Sequence, residues 1–344
     1  MSIANRQSNL VRRAPAKKPA AGLFTLLALI TGVVGIVVLQ AGVSSQQGRT
    51  EIVSDDFTQP RPTPTPKPEK FGRGLGRIAA RPTASVAAVA PKDESKHYRL
   101  ASSPETDIAL TLGSVEQLGV TLWRLRPATP SDPGQRMLVR ETGKSSNWVP
   151  ERIEADTPVS EGDYLRLSVE SPQTGFLYVV DRDVFADGSL GEPLLIFPTL
   201  TTRAGDNHVG PGKLIDIPAQ EDDPGYYTAR PTRSDQIGEM LTLIVTEAPL
   251  ELPISEKPLQ LSKVQISDWQ RMWGGRSERF EMEGGAGTAW TKEERAAAAI
   301  KGRQLTRDDP APQTIYRVTT ADKKGLLVNV QLLYKRPAQK TPGS

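Results

Sequence analysis

Tyr164-Leu165-Arg166-Leu167-Ser168-Val169-Glu170, then Gly175-Phe176-Leu177-Tyr178-Val179-Val180-Asp181 after the turn Ser171-Pro172-Gln173-Thr174, is the stretch on which the fold reading turns. In the first segment Leu165, Leu167 and Val169 alternate with Arg166, Ser168 and Glu170. That two-residue period predicts a half-buried strand, apolar face inward and polar face to solvent. The second segment lacks polar alternation and reads as a central strand covered on both sides. Glycine, proline and aspartate punctuate the chain beyond residue 181, where Leu194–Pro198, Lys213–Pro218 and Leu241–Thr246 read as further short strands. Short strands divided by such turns, without βαβ units, predict a mainly β chain: an antiparallel β-sandwich or open barrel.

Outward from this centre, Val120–Leu125 reads as a strand with Val120, Leu122 and Arg124 on one face and Thr121, Trp123 and Leu125 on the other. Ile108–Leu112 reads as another strand, and Ser114–Gln117 as the cap of a brief helical turn. Two helices are expected to dock on the sheet. Ser262 with Gln265 forms a capping-box pattern before Lys263–Trp273, where Ile266, Trp269 and Trp273 make an apolar stripe and Gly274 stops the helix. Thr291 with Glu294 caps a second helix over Glu293–Lys301, closed by Gly302. Residues 274–290 read as a loose glycine-rich stretch. Thr314–Val318 and Gly325–Tyr334 read as a hairpin turning at Asp322–Gly325 and completing the main sheet.

Toward the N-terminus the chain changes character. Ala20–Leu39 is an uncharged run of 20 residues preceded by Lys17 and Lys18. As a helix it spans about 30 Å, the thickness of a hydrocarbon core. Basic residues before it and none after it until Arg49 place the N-terminus in the cytoplasm and the rest across the membrane. A cleaved signal needs a shorter core and small residues at −3 and −1; Leu39-Gln40-Ala41 is a poor site, so an uncleaved anchor is the reading taken. Residues 42–104, with Pro60, Pro62, Pro64, Pro66 and Pro68 alternating with other residues, read as a disordered, partly polyproline tether. The expected organisation is a cytoplasmic tail (1–19), a transmembrane anchor (20–41), the tether, an exported β-rich domain (105–336) and a short tail (337–344).

Charge and composition exclude several classes. The net charge of +3 comes from the N-terminal third: the chain from residue 93 onward is acidic, so no nucleic-acid partner is expected. With no cysteine there is no disulfide, thiolate nucleophile or thiolate metal site. His97 and His208 are too few for a histidine zinc site. Asp181, Asp183, Asp187 and Gly188 do not fit an EF-hand, because a loop opened by Asp183 would put Phe185 and Leu194 at ligand positions. No cofactor, metal or catalytic residue is assigned. Candidate interaction residues are Trp148, Asp181, Asp183, Asp187, the acidic loop Glu221-Asp222-Asp223, and Trp290. Trp148 and Trp290, in polar turn-rich contexts, are the aromatics that would meet a glycan.

Residues 153–247 also resemble the DUF4384 family, a bacterial domain of unassigned function. The resemblance is carried by Glu161–Leu167, Gly175–Val180, Asp187-Gly188, Leu195–Pro198, Asn207, Ile217-Pro218, and Gly238-Glu239 ahead of Leu241–Val245. It implies an exported or surface-associated β domain and carries over no catalytic residue. The functional expectation is a membrane-tethered, non-catalytic interaction or structural domain of the cell envelope, held at the membrane by residues 20–41 and meeting an envelope protein or a cell-wall polymer. The alternatives are an exported glycan hydrolase using Asp181, Asp183 and Glu192, and a carbohydrate-binding module.

Overall fold

The alternating segment forms strand β5 (Tyr164–Glu170), and the apolar one β6 (Gly175–Phe185). The computed structural model describes residues 54–65, 97–102, 114–132, 134–141, 144–320 and 324–335. The membrane-length segment 20–39 and the strand expected at 108–112 lie outside them. Among the described residues no helix is long and apolar enough to cross a membrane.

Two antiparallel sheets share one core. The first runs β1 (Tyr98–Ser102), β13 (Arg276–Met282), β14 (Thr314–Thr320), β2 (Ser114–Pro127). The long β2 pairs β14 through its first half and β4 (Lys144–Ile153) through its second, with β3 (Met137–Glu141) beyond β4. Its other edge pairs β5, which in turn pairs β9 (Ile215–Ile217) and β10 (Tyr227–Thr228). The second sheet runs β12 (Leu259–Gln260), β7 (Leu194–Phe197), β6, β11 (Gln236–Thr246), β15 (Gly325–Leu333), with β8 (His208–Val209) beside the start of β6. Leu118, Val120, Leu122, Leu167 and Val169 of the first sheet meet Leu177, Val179, Leu243, Val328 and Val330 of the second. This is the sandwich alternative of the sequence reading, and β6 is central as expected.

Both outer faces are covered as well. Helix α1 (Lys263–Trp273), capped by Ser262, sets Ile266, Trp269 and Trp273 on Tyr178, Val180, Ile244 and Leu327 of the second sheet. Helix α2 (Lys292–Ala298), with Thr291 and Glu294 in a full capping box, sets Ala297 and Ala298 against Trp123, Leu125 and Trp290 on the first. The two-sided burial of Val120–Leu125 explains why its alternation did not sort by polarity.

Several expectations need correction. Ser114–Gln117 begins β2, because its backbone pairs with Val318–Thr320 and Arg317 of β14. Residues 276–282 of the supposedly loose stretch are β13, paired on both edges by β1 and β14. β14 and β15 are no hairpin: β14 joins the first sheet and β15 the second, so the chain crosses the sandwich between them. The polar side of β5 is not solvated; Arg166, Ser168 and Glu170 are all buried.

The cover over Glu170 comes from the supposed tether. Residues 54–58 make a helical turn, Phe57 packs with Tyr98, Phe280 and Ile315, and Arg61 reaches Glu170 in a fork: Nε to Oε1 and Nη2 to Oε2, both 2.7 Å. The same guanidinium donates to the carbonyls of Thr306, Asp309 and Pro310. A bidentate pair with its remaining donors satisfied is the arrangement that makes ionic burial tolerable. Within 42–104, therefore, residues 54–65 and β1 belong to the fold.

The strap demands close approach at Gly119, where an added Cβ would stand 2.5 Å from the Phe57 ring and 2.6 Å from Pro312 Cγ. Gly119→Val is expected to lower unfolding stability by about 1–3 kcal/mol through overpacking. Urea unfolding checks this; an unchanged midpoint would mean the strap yields.

Candidate functional site

On the inner face of the second sheet, apolar residues give way to acids at one end. Along β6 the inward series is Leu177, Val179, Asp181, Asp183; along β11 it is Val245, Leu243, Leu241, Glu239. The register sets Leu241 opposite Asp181 and Glu239 opposite Asp183, so the three carboxylates rise from one face on neighbouring strands. Tyr334, just past β15, donates its hydroxyl to Glu239 Oε1.

Between the sheets at this end lies a cavity of about 210 Å³. Its lining is apolar at Leu122, Leu165, Ile196, Ile217, Leu241 and Leu332, and polar at Asp181, Glu239, Arg166, Tyr227 and Thr228. Asp181 Oδ1 is buried there without a hydrogen-bond partner. Burial, then the neighbouring Glu239 and Asp183, push the Asp181 carboxyl up to about 8. Glu239 is also raised, chiefly by burial, with the Tyr334 hydrogen bond opposing. Tyr227 exposes 36 % of its area at the rim, while its hydroxyl is pushed up by burial and by Asp181.

Asp181 therefore binds a proton in the folded chain at pH values where it would be ionised in the unfolded one. A carboxyl raised from 3.8 to about 8 contributes stability below the unfolded value and loses it as pH rises through the folded value. Wild type is expected to lose stability relative to Asp181→Asn between about pH 4 and 8. Paired urea titrations across that range check the sign; parallel curves would contradict it.

The other sequence candidates disperse. Asp183 borders the acids but accepts from Gln236 Nε2 at 2.7 Å and Thr232 Oγ1 at 3.1 Å. Asp187 is in an exposed turn, accepting from the Ser189 N–H. Glu221 and Asp223 are exposed, whereas Asp222 accepts from the Ala219 and Arg203 N–H groups. That bond holds a turn in which Arg203 and Ala204 have φ of 52° and 51°, left-handed backbone that favours glycine. His208 is exposed beside Asp206, 3.1 Å from its carboxylate, consistent with a surface-turn role. Glu192 lies on the surface with Lys263.

Trp290 is a correction: it is buried, donates its indole N–H to the Gln135 carbonyl at 2.6 Å, and cannot present a ring to a glycan. Trp148 is half-buried against Tyr164, their ring centroids 4.9 Å apart, with its N–H given to Ser146.

Elsewhere several buried charges pair within the architecture. Arg166 pairs Asp216 at 2.6 Å, Ser168 donates to the same carboxylate, and Arg152 pairs Glu294. Burial depresses Arg166 and raises Asp216, and each partner's charge opposes the shift of the other. Among the described residues no group of three or more His, Cys, Asp or Glu side chains is placed to hold a metal ion.

Glu239 and Tyr334 were missed as site residues by sequence reasoning. The available signal was phase: Glu239 and Asp181 each continue the inward series of an otherwise apolar alternation. No protein-family model, no curated protein and no solved structure matches this chain.

Proposed function

We propose that this chain is a non-catalytic interaction domain of the cell envelope, tethered to the membrane through residues 20–41, that takes part of its partner into the acid-lined cavity. The observation that carries the proposal is Asp181, whose buried Oδ1 has no hydrogen-bond partner and which lines a largely apolar cavity with Glu239. Buried polar groups are normally satisfied, and an exception calls for an explanation such as a ligand. Perturbed acids in a cavity are a recognised mark of a functional site. The anchor and the DUF4384 resemblance belong to the same proposal; both agree with an exported β domain.

A glycan hydrolase fits the geometry less well. Its two carboxyls must flank the scissile bond. Asp181 and Asp183 instead stand two residues apart on one strand face, and Glu192 is at the surface with Lys263. A glycan module resting on Trp148 and Trp290 loses Trp290 to the core.

The test is site-specific photo-crosslinking of the full chain in its native membrane. A photoreactive residue replacing Thr228, at the cavity, is expected to capture a discrete partner, whereas one replacing the exposed Val264 on α1 is not. Identical adducts at both positions, or none at 228, would sink the proposal.

A further inference from the structure

We infer that the cavity is a receptor for a primary alkylammonium group on an aliphatic arm, the chemistry of a lysine side-chain end. This rests on the binding role proposed above and specifies its ligand.

Size is the first argument. Pockets for drug-sized ligands run to roughly 300–1,000 Å³; this one holds about 210 Å³. At roughly 30 Å³ per water-sized group that is space for about seven, enough for four methylenes and an ammonium. Polarity is the second. The first sheet contributes Leu122, Leu165 and Ile217 to the lining, and the second contributes Asp181 and Glu239 with Leu332 beside Glu239. An alkylammonium has the same division, an apolar stem and a compact head with three donors.

Charge is the third. The groups around Asp181 are Glu239 from β11, Asp183 from β6, Tyr227 from β10 and Tyr334 after β15, all acidic or neutral. Two cations lie nearby. The Arg182 N–H and charge act on Asp181 and hold its carboxyl down, but burial and the neighbouring acids outweigh them. Arg182 donates to Thr242 and Arg166, which borders the cavity, to Asp216 and the Pro218 carbonyl. In the free protein a proton on Asp181 relieves the repulsion; a bound ammonium would replace it. Binding near pH 7 should therefore release a proton, and affinity should weaken as pH falls.

The experiment is calorimetric titration of the full chain in detergent micelles with n-butylamine hydrochloride, Nα-acetyl-lysine N-methylamide and, as a neutral control, n-butanol. Titrations near pH 7 in buffers of different ionisation enthalpy report proton release. Saturable n-butylamine binding is expected, at least about tenfold tighter than n-butanol, with net proton release and a loss of at least about tenfold in Asp181→Asn. Glu239→Gln provides a second variant if the first fails a folding check by circular dichroism. Binding of both amines identifies a polypeptide lysine as the fitting source; binding of n-butylamine alone identifies a free amine. Equal affinity for n-butylamine and n-butanol, binding without proton release, or undiminished binding in both variants would overturn the inference. If crosslinking from position 228 then persisted, only the ligand assignment would fall; if it too were absent, the binding role would fall with it.

Discussion

Arg61→Ala should destabilise the folded domain by about 3–5 kcal/mol, the cost of removing one partner from a buried ion pair. Both side chains are almost fully enclosed, at 1 % and 2 % exposure, so Glu170 would be left without its cation. Burial already raises the Glu170 carboxyl, and Arg61 opposes that rise. The carbonyls of Thr306, Asp309 and Pro310 would each lose the hydrogen bond from Arg61, Thr306 keeping that from the Asp309 N–H. At about 2–4 °C per kcal/mol for a domain of this size, the melting temperature should fall by roughly 10 °C. The double variant Arg61→Met/Glu170→Leu should recover most of the loss, because two apolar groups leave no charge stranded. Thermal and urea unfolding of the three proteins measure both effects. A single variant within about 0.5 kcal/mol of wild type would show that the strap is not held by this pair.

Trp290→Ala should cost about 3–5 kcal/mol, the range for a large aromatic removed from a packed core. Trp290 is 2 % exposed, lies with Trp123, Met137 and Ala297, and leaves the Gln135 carbonyl without its donor when deleted. Arg166 also lies over its ring, 5.7 Å from the centroid. Trp290→Phe should retain more than half of the lost stability, since it keeps most of the apolar volume. If Trp290→Ala unfolds like wild type in urea, the indole is not enclosed by the core. Any loss of glycan binding in this variant would have to be separated from unfolding.

Local pattern carried much of the fold. The cores of β5, β6, β7 and β11 were readable from period and turn residues, and the N-terminal cap and stop of α1 from Ser262, Gln265 and Gly274. What failed was non-local. Nothing in Arg166, Ser168 and Glu170 reveals that residues 54–65 and 306–310 will cover them; a polar strand face reads as solvated until its distant partners are known. The apparent hairpin at 314–334 failed for the same reason, because adjacent strands divide between two sheets. Trp290 sat in a polar, glycine-rich context, yet β3 and α2 enclose it. At the cavity, Asp181 and Asp183 were singled out as acids, but their grouping with Glu239 depended on the β6–β11 register.

The strap at Arg61 also bears on when the domain can become native during synthesis. Its acceptors are Glu170 and the carbonyls of 306, 309 and 310, while β2 waits for β14 and β11 for β15. An emerging chain therefore cannot close the first sheet until residue 320, nor the second until residue 333, has left the ribosome. Contacts of such long sequence separation favour slow, late assembly, with strand edges open in the interval. A chaperone that shields an unfinished nascent chain would find its longest-lived substrate among products truncated before residue 325, which lack β15 altogether.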